Sequence, residues 1–148
     1  MSNQALEYLI GKAEKLRDSA GVELARSRNT EQQISDQIEM LTQYRQEYRR
    51  RLNQALLKGT PLHTVRDIQS FLVSLDQAID NAYAYHEKQQ RQTEDSFAEM
   101  SRCQRELSSF NTLVQRRQAA HARELDRRER KEQDALATRI HQRKNTDG

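Results

Sequence analysis

Lys58-Gly59-Thr60-Pro61 is the stretch whose reading decides the fold. A glycine takes the left-handed conformation that ends a helix without a Cβ clash. A proline is pre-set for the first turn of the next helix, and a threonine before it supplies a cap. The four residues therefore spell the close of one helix and the opening of another. Thr64 and Asp67 offer a second, slightly later start with capping-box spacing. Pro61 is the one proline of the chain. Gly11 and Gly21 fall inside helical pattern, where each costs about 1 kcal/mol relative to Ala. They read as weak spots, not as breaks.

Outward from this turn the apolar residues recur at helical spacing. A first helix is expected from about Asn3 to Leu57, with Leu6, Ala13, Ala20, Ser27, Ile34, Leu41, Tyr48 and Ala55 on one seam line. Ile10, Arg17, Leu24, Glu31, Ile38, Arg45 and Leu52 form its companion line. A second helix is expected from about Leu62 to Ile140. Its lines are Val65, Leu72, Ile79, His86, Thr93, Met100, Leu107 and Val114, and Ile68, Leu75, Ala82, Gln89, Ser96, Cys103 and Phe110. Alternation with period two is absent, so strands are not supported. Residues 145–148 read as a disordered tail.

If the chain folds back at Thr60, residues whose numbers sum to about 120 face one another. Leu52 then meets Ile68, Leu41 meets Ile79, Ile10 meets Phe110 and Leu6 meets Val114. The polar interruptions also coincide: Ser27 and Glu31 fall opposite Thr93 and Gln89. This matching supports the antiparallel register, and it suggests a loosely packed, flexible middle zone. At 1.5 Å per residue the first helix would be roughly 80 Å long and the second about 115 Å. The second would overhang beyond residue 116 as a charged single helix with Leu125, Leu136 and Ile140 as sparse apolar positions. Such a helix frays when alone. The fold class is therefore all-α, a long antiparallel two-helix coiled coil, or α-hairpin, with a longer C-terminal helix, in a single domain spanning residues 1–148.

Composition agrees with this fold. Hydrophobic residues make up 34% of the 148 and charged residues 32%, short of the apolar share a globular core uses. A paired rod buries only a narrow seam. Disorder is the competing reading of low hydrophobicity, but the chain is rich in Gln, Glu, Arg, Ala and Leu, which are strong helix formers. The 25 basic and 22 acidic residues are interleaved, so the sequence pI of about 9.2 does not mark a segregated nucleic-acid or membrane face. Cys103 is alone and has no internal disulfide partner, which fits a reducing cytosol. Met1 to Lys15 lacks an apolar run, so no signal peptide is expected. No stretch approaches a membrane span.

Catalysis needs convergent groups in a partly dry pocket, and a two-helix rod offers little concavity. His63, His86, His121 and His141 are scattered and make no metal spacing with Cys103. There is no phosphate-cradling glycine loop and no nucleophile motif. No enzyme activity, metal or cofactor is expected. The basic clusters are Arg49-Arg50-Arg51, Arg116-Arg117 and Arg127-Arg128-Glu129-Arg130-Lys131. They read as a solvated face with local ion pairs or as a surface that docks on acidic protein. A nucleic-acid-binding coiled coil is the rival from another class. Glu124, Asp126, Glu129 and Glu132 interrupt its basic region.

Phe71, Leu75, Ala78 and Ala82 follow one another at +4, +3 and +4. They form a slanted stripe that leans off the seam, with Tyr83 and Tyr85 close by. Two readings stand side by side. The stripe anchors a partner on an exposed helix flank, or Phe71 widens the core near the turn. Tyr44 and Tyr48 face the same zone and read as core packers.

These residues resemble the flagellar FliJ family of the type III export apparatus. The likeness is carried by Tyr44-Arg45-Gln46-Glu47-Tyr48-Arg49 with Leu52-Asn53, by Phe71 with Leu75, Ala78 and Ile79, and by Thr112-Leu113 with Arg116, Ala119 and Ala120. It covers most of the chain, and the break falls where the family's hairpin turn falls. The resemblance implies a coiled coil similar to the gamma-subunit stalk of rotary ATPases. It implies that the helix ends away from the turn dock in the central hole of the hexameric export ATPase, where Arg116, Arg117, Arg123, Arg127 and Arg128 would meet acidic loops. It implies contact with the membrane export gate protein FlhA and with export chaperones. The membrane is then met only through the gate, from a cytoplasmic, peripheral position. The family's gate stripe is Phe, Leu, Ala, His. Phe71, Leu75 and Ala78 match, whereas the fourth position is Ala82 and His86 lies one turn further on. The match tilts the stripe towards partner binding. The stalk of a virulence-type injectisome is the nearest alternative within the same physics.

Overall fold

A computed structural model describes residues 2–146. Helix α1 spans Asn3–Leu57 and helix α2 spans Leu62–Thr146. The two pack against each other as an all-α hairpin, with no strand among the described residues. α1 opens on Ser2, whose hydroxyl accepts a bond from the Ala5 amide at 3.1 Å while its carbonyl accepts the Leu6 amide at 3.0 Å. That is an ordinary N-cap, which satisfies a donor left over at the helix start.

The turn closes as its chemistry requires. Gly59 has φ of 66°, and the Thr60 amide reaches back to the Ala55 carbonyl at 3.1 Å. That six-to-one bond is the mark of a Schellman ending. The start of α2 differs in detail from the expected cap. The Pro61 carbonyl accepts the Thr64 and Val65 amides at 3.1 and 3.3 Å, so Pro61 stands just outside the helix, and Thr64 lies within it. A proline fits there because it surrenders no amide that the helix needs.

The far end of α2 also departs from expectation. The helix runs on past Ile140 to Thr146, so Asn145 and Thr146 are helical and not part of a disordered tail. The Thr146 hydroxyl donates to the Gln142 and Arg143 carbonyls, both at 3.0 Å. Arg143 and Lys144 sit in the last turn, where positive charge complements the helix dipole. Local bonds and charge extend the helix where apolar periodicity has already stopped. Asp147 and Gly148, the rest of the expected tail, lie outside the described residues, as does Met1.

The chain divides into two compact units. The unit of residues 15–103 holds the turn. Its core is Leu24, Ile34, Ile38, Ala55, Val65, Leu75, Ile79 and Cys103, all of which fall on the heptad lines of the two helices, as a coiled-coil seam demands. Each fully buried leucine or isoleucine contributes about 1.5–3 kcal/mol. Cross-helix contacts fix the register. Ser35 hydroxyl and His86 Nε2 are 3.0 Å apart, Arg45 reaches Asp76 at 3.4 Å, and the rings of Tyr48 and Phe71 meet. In each pair the residue numbers sum to about 120.

The polar layer of this unit is bonded across the seam. Ser27 and Gln89 are both buried. The hydroxyls of Ser27 and Ser96 lie 3.3 Å apart, and Gln89 Nε2 donates to the Ser27 carbonyl at 3.3 Å. Buried polar groups persist when they find partners, and these have found them across the seam. Where a slack zone was expected, the two helices share a hydrogen-bonded layer, whose mobility hydrogen exchange decides.

The other unit comprises residues 1–14 and 104–148. Leu6, Ala13 and Leu107 form its buried core. Arg117 Nη1 donates to Asn3 Oδ1 at 3.3 Å, again a pair summing to about 120. From Gln118 to Thr146 every residue except Glu124 is exposed.

Candidate functional site

Two surfaces correspond to the residues singled out by sequence. The first is the flank of the hairpin near the turn. Phe71 is 41% exposed there, with its ring centroid 4.4 Å from that of Tyr48 and the planes tilted by 52°. The Arg51 guanidinium carbon lies 4.8 Å from the Tyr48 centroid, and Arg51 also pairs with Glu47 at 2.7 Å. Cation, tyrosine and phenylalanine thus form a short ladder that holds Phe71 half out of the core.

The stripe expected around Phe71 is not continuous. Leu75 is only 6% exposed and belongs to the seam, because it lies on the inward-facing line with Ile68 and Ala82. Ala78 and Ala82 are half-buried. Seven-residue steps from Phe71 lead instead through half-buried Ala78 to Tyr85, which is exposed on the same flank. The register places exposed Tyr44 on the facing stretch of α1, so Tyr44 is not the core packer it was expected to be. Tyr48 is, in part, through its ring contact. A seven-residue count from Phe71 was the sequence signal for this ridge.

The second surface is the charged end of α2. Between Arg116 and Thr146 stand ten basic residues against five acidic ones. Arg127 and Arg128 both engage Glu124, at 3.0 and 3.4 Å, and Arg130 engages Asp126 at 3.1 Å. Part of the cluster is therefore a solvated face with local pairs, each worth a few tenths of a kcal/mol. Arg116 and Arg123 are exposed and make no ion pair among the described residues. Arg117 lines a groove of about 480 Å³ with Leu6, Val114 and His121. The structure holds Arg117 beside α1 through Asn3, whereas Arg116 is exposed and Arg123, Arg127 and Arg128 stand on the exposed stretch.

Chemistry of other kinds has little to build on. A shallow cleft of about 220 Å³ runs past Ala20, Glu23, Asp95 and Glu99. Arg102 grips both carboxylate oxygens of Glu99, at 2.7 and 3.1 Å, and holds its carboxyl below the usual carboxylate range. The Cys103 thiol, 3.6 Å away, adds to that lowering. His63, His121 and His141 are exposed, and His86 is tied to Ser35. Among the described residues no group of histidine, cysteine or carboxylate side chains is placed to hold a metal ion, and no helix is long and apolar enough to cross a membrane.

Comparison with known proteins agrees with the geometry. The profile of the family described as "Flagellar FliJ protein" matches residues 1–146. A protein of Salmonella typhi with the same description is 29% identical over 140 residues, which is 95% of each chain. No solved structure matches the chain.

Proposed function

The chain belongs to the flagellar FliJ family, a component of the flagellar export apparatus, and from that premise we propose that it serves as a non-enzymatic stalk and adaptor. In this reading the end carrying α2's charged stretch engages the hexameric export ATPase, while the flank of Phe71 engages the membrane export gate. Export chaperones are further partners. The protein hydrolyses nothing itself, and it stands at the cytoplasmic face of the membrane through its contact with the gate.

The observation that supports this best is the exposed run from Gln118 to Thr146. A solvated helix with eight cations against five anions has no folding role of its own. It suits an acidic protein surface, where cations steer encounter and release their hydration on contact. Arg123, Arg127 and Arg128 would carry that contact, with Arg116 and Arg117 at its base. Phe71 suits an anchor because it is large, rigid and half-exposed. Ala78 and Ala82 would let a partner approach closely, and Leu75 would support the flank from beneath.

The test is binding of the full chain to a purified flagellar export ATPase, with the rate of ATP hydrolysis as a second readout. The expected result is association that weakens as salt rises, together with faster hydrolysis. Replacing Arg116, Arg117, Arg123, Arg127 and Arg128 by Gln should weaken association at least tenfold while helicity stays the same. An ATPase that neither binds the chain nor responds to it sinks the proposal.

A further inference from the structure

The tip of the hairpin is unlike the rest of the seam-and-flank surface. Leu57 is 88% exposed, Leu62 is 64% and Leu56 is 58%. Three leucines at one turn thus leave most of their surface in water. Around them, from Arg49 to Leu75, the chain holds five basic residues and a single acidic one, Asp67. Arg51 is engaged with Glu47 and Tyr48. Arg49, Arg50, Lys58 and Arg66 are exposed and make no ion pair among the described residues.

We propose that this tip is a membrane-contact wedge that dips Leu56, Leu57 and Leu62 into an anionic lipid bilayer, with Arg49, Arg50, Lys58 and Arg66 as its collar. The depths agree. Interfacial segments bury apolar groups 5–10 Å into the boundary between headgroups and acyl chains. Arg49 and Arg50 lie seven residues behind Leu56 and Leu57, about 10 Å back along the helix. Leucines at the acyl boundary therefore leave these arginines level with the lipid phosphates, where each cation adds to binding.

Part of the backbone at the tip is already bonded internally. Apolar surroundings penalise unbonded amides. The Lys58 amide is tied to the Gln54 carbonyl at 3.0 Å and the Thr60 amide to that of Ala55 at 3.1 Å, while Pro61 has no amide proton. The distribution of charge selects a bilayer over a protein groove. Arg49 and Arg50 are adjacent on α1, and so point about 100° apart. Arg66 is on α2, and Lys58 is in the turn itself. The cations are spread over both helices and the turn, which suits a flat anionic sheet. The inference stands apart from the stalk-and-adaptor reading, since it uses none of the residues assigned to the ATPase or the gate.

The full chain is sedimented with vesicles of phosphatidylcholine alone and of phosphatidylcholine with about one-third phosphatidylglycerol. Binding at least tenfold stronger to the anionic vesicles is expected, with a loss of similar size when Leu56, Leu57 and Leu62 are all replaced by Ser. Because the chain has no tryptophan, Leu57→Trp places a single indole at the tip, and its emission should shift to the blue on anionic vesicles only. Unchanged binding by the triple serine variant would show that the arginine-rich end of α2 carries the attraction, and overturns the proposal. So does an indole emission that stays at its aqueous position, the outcome expected if the tip serves an acidic protein surface.

Discussion

The ring of Tyr48 rests against that of Phe71 across the hairpin, with centroids 4.4 Å apart and planes tilted by 52°. The contact gives Phe71 two possible duties, holding the helices together and meeting a partner, and single substitutions on each side separate them. Phe71→Ala and Tyr48→Ala should each cost about 1–2 kcal/mol, with a coupling of about 1 kcal/mol in a double-mutant cycle, as measured by thermal unfolding. If Phe71 anchors the export gate as proposed, Phe71→Ala should abolish retention by the gate and Tyr48→Ala should leave it intact. Loss of retention in both variants would mean that Phe71 acts only through packing.

The ambiguity at Phe71 shows where sequence reading stopped. The turn was legible because Gly59 and Pro61 each carry a steric rule that few contexts override. The register was legible because apolar residues at heptad steps and matching polar gaps leave one pairing. Leu75 was harder. It fits both the seam line and the stripe with Phe71, since a four-residue step from a flank position lands on the seam. Only packing shows that it turns inward. The end of α2 was legible to its last apolar residue, Ile140, and no further, because the bonds of Thr146 to the carbonyls behind it have no periodic signature.

The buried pair Ser27 and Gln89 makes a prediction about dynamics. Backbone amides at residues 25–33 should exchange with solvent no faster than those of the seam beside the turn, since the layer is closed and bonded. Gln89→Ala should cost about 1–2 kcal/mol, because it strips the Ser27 carbonyl of its side-chain donor and leaves space behind. Hydrogen exchange read by mass spectrometry on both proteins checks the two together. Fast exchange at residues 25–33 in the parent would return the layer to a slack joint.

Three glycines should respond to alanine with different signs. At Gly59 a Cβ would meet no atom, yet φ of 66° strains any other residue. Gly59→Ala should lower stability by about 1 kcal/mol. At Gly11 a Cβ also meets nothing, and the backbone is helical, so Gly11→Ala should raise stability by about 0.5–1 kcal/mol. At Gly21 a Cβ would sit 3.7 Å from the Met100 sulfur and methyl. That is ordinary contact, and Gly21→Ala should likewise stabilise. Thermal midpoints of the three variants decide it. A loss at Gly21 would mean that Met100 packs there too tightly to accept a methyl group.

Arg45 carries the last prediction, because the seam holds it at a cost. Its position falls on the companion line between Ile38 and Leu52, where its guanidinium reaches Asp76 at 3.4 Å. Its Nε is buried and has no hydrogen-bond partner. Desolvating a guanidinium is expensive, and a pair with one half-exposed member returns little of that cost. Arg45→Leu should therefore raise stability by about 1 kcal/mol and the thermal midpoint by about 2–4 °C, with Asp76 then free in solvent. Asp76→Ala, which removes the carboxylate and leaves a half-buried cation, should lower it. If Arg45→Leu were instead destabilising, the ion pair would outweigh its desolvation. The arginine would then be a positive contributor to pairing of the two helices, and adding salt should lower the midpoint of the parent more than that of the variant.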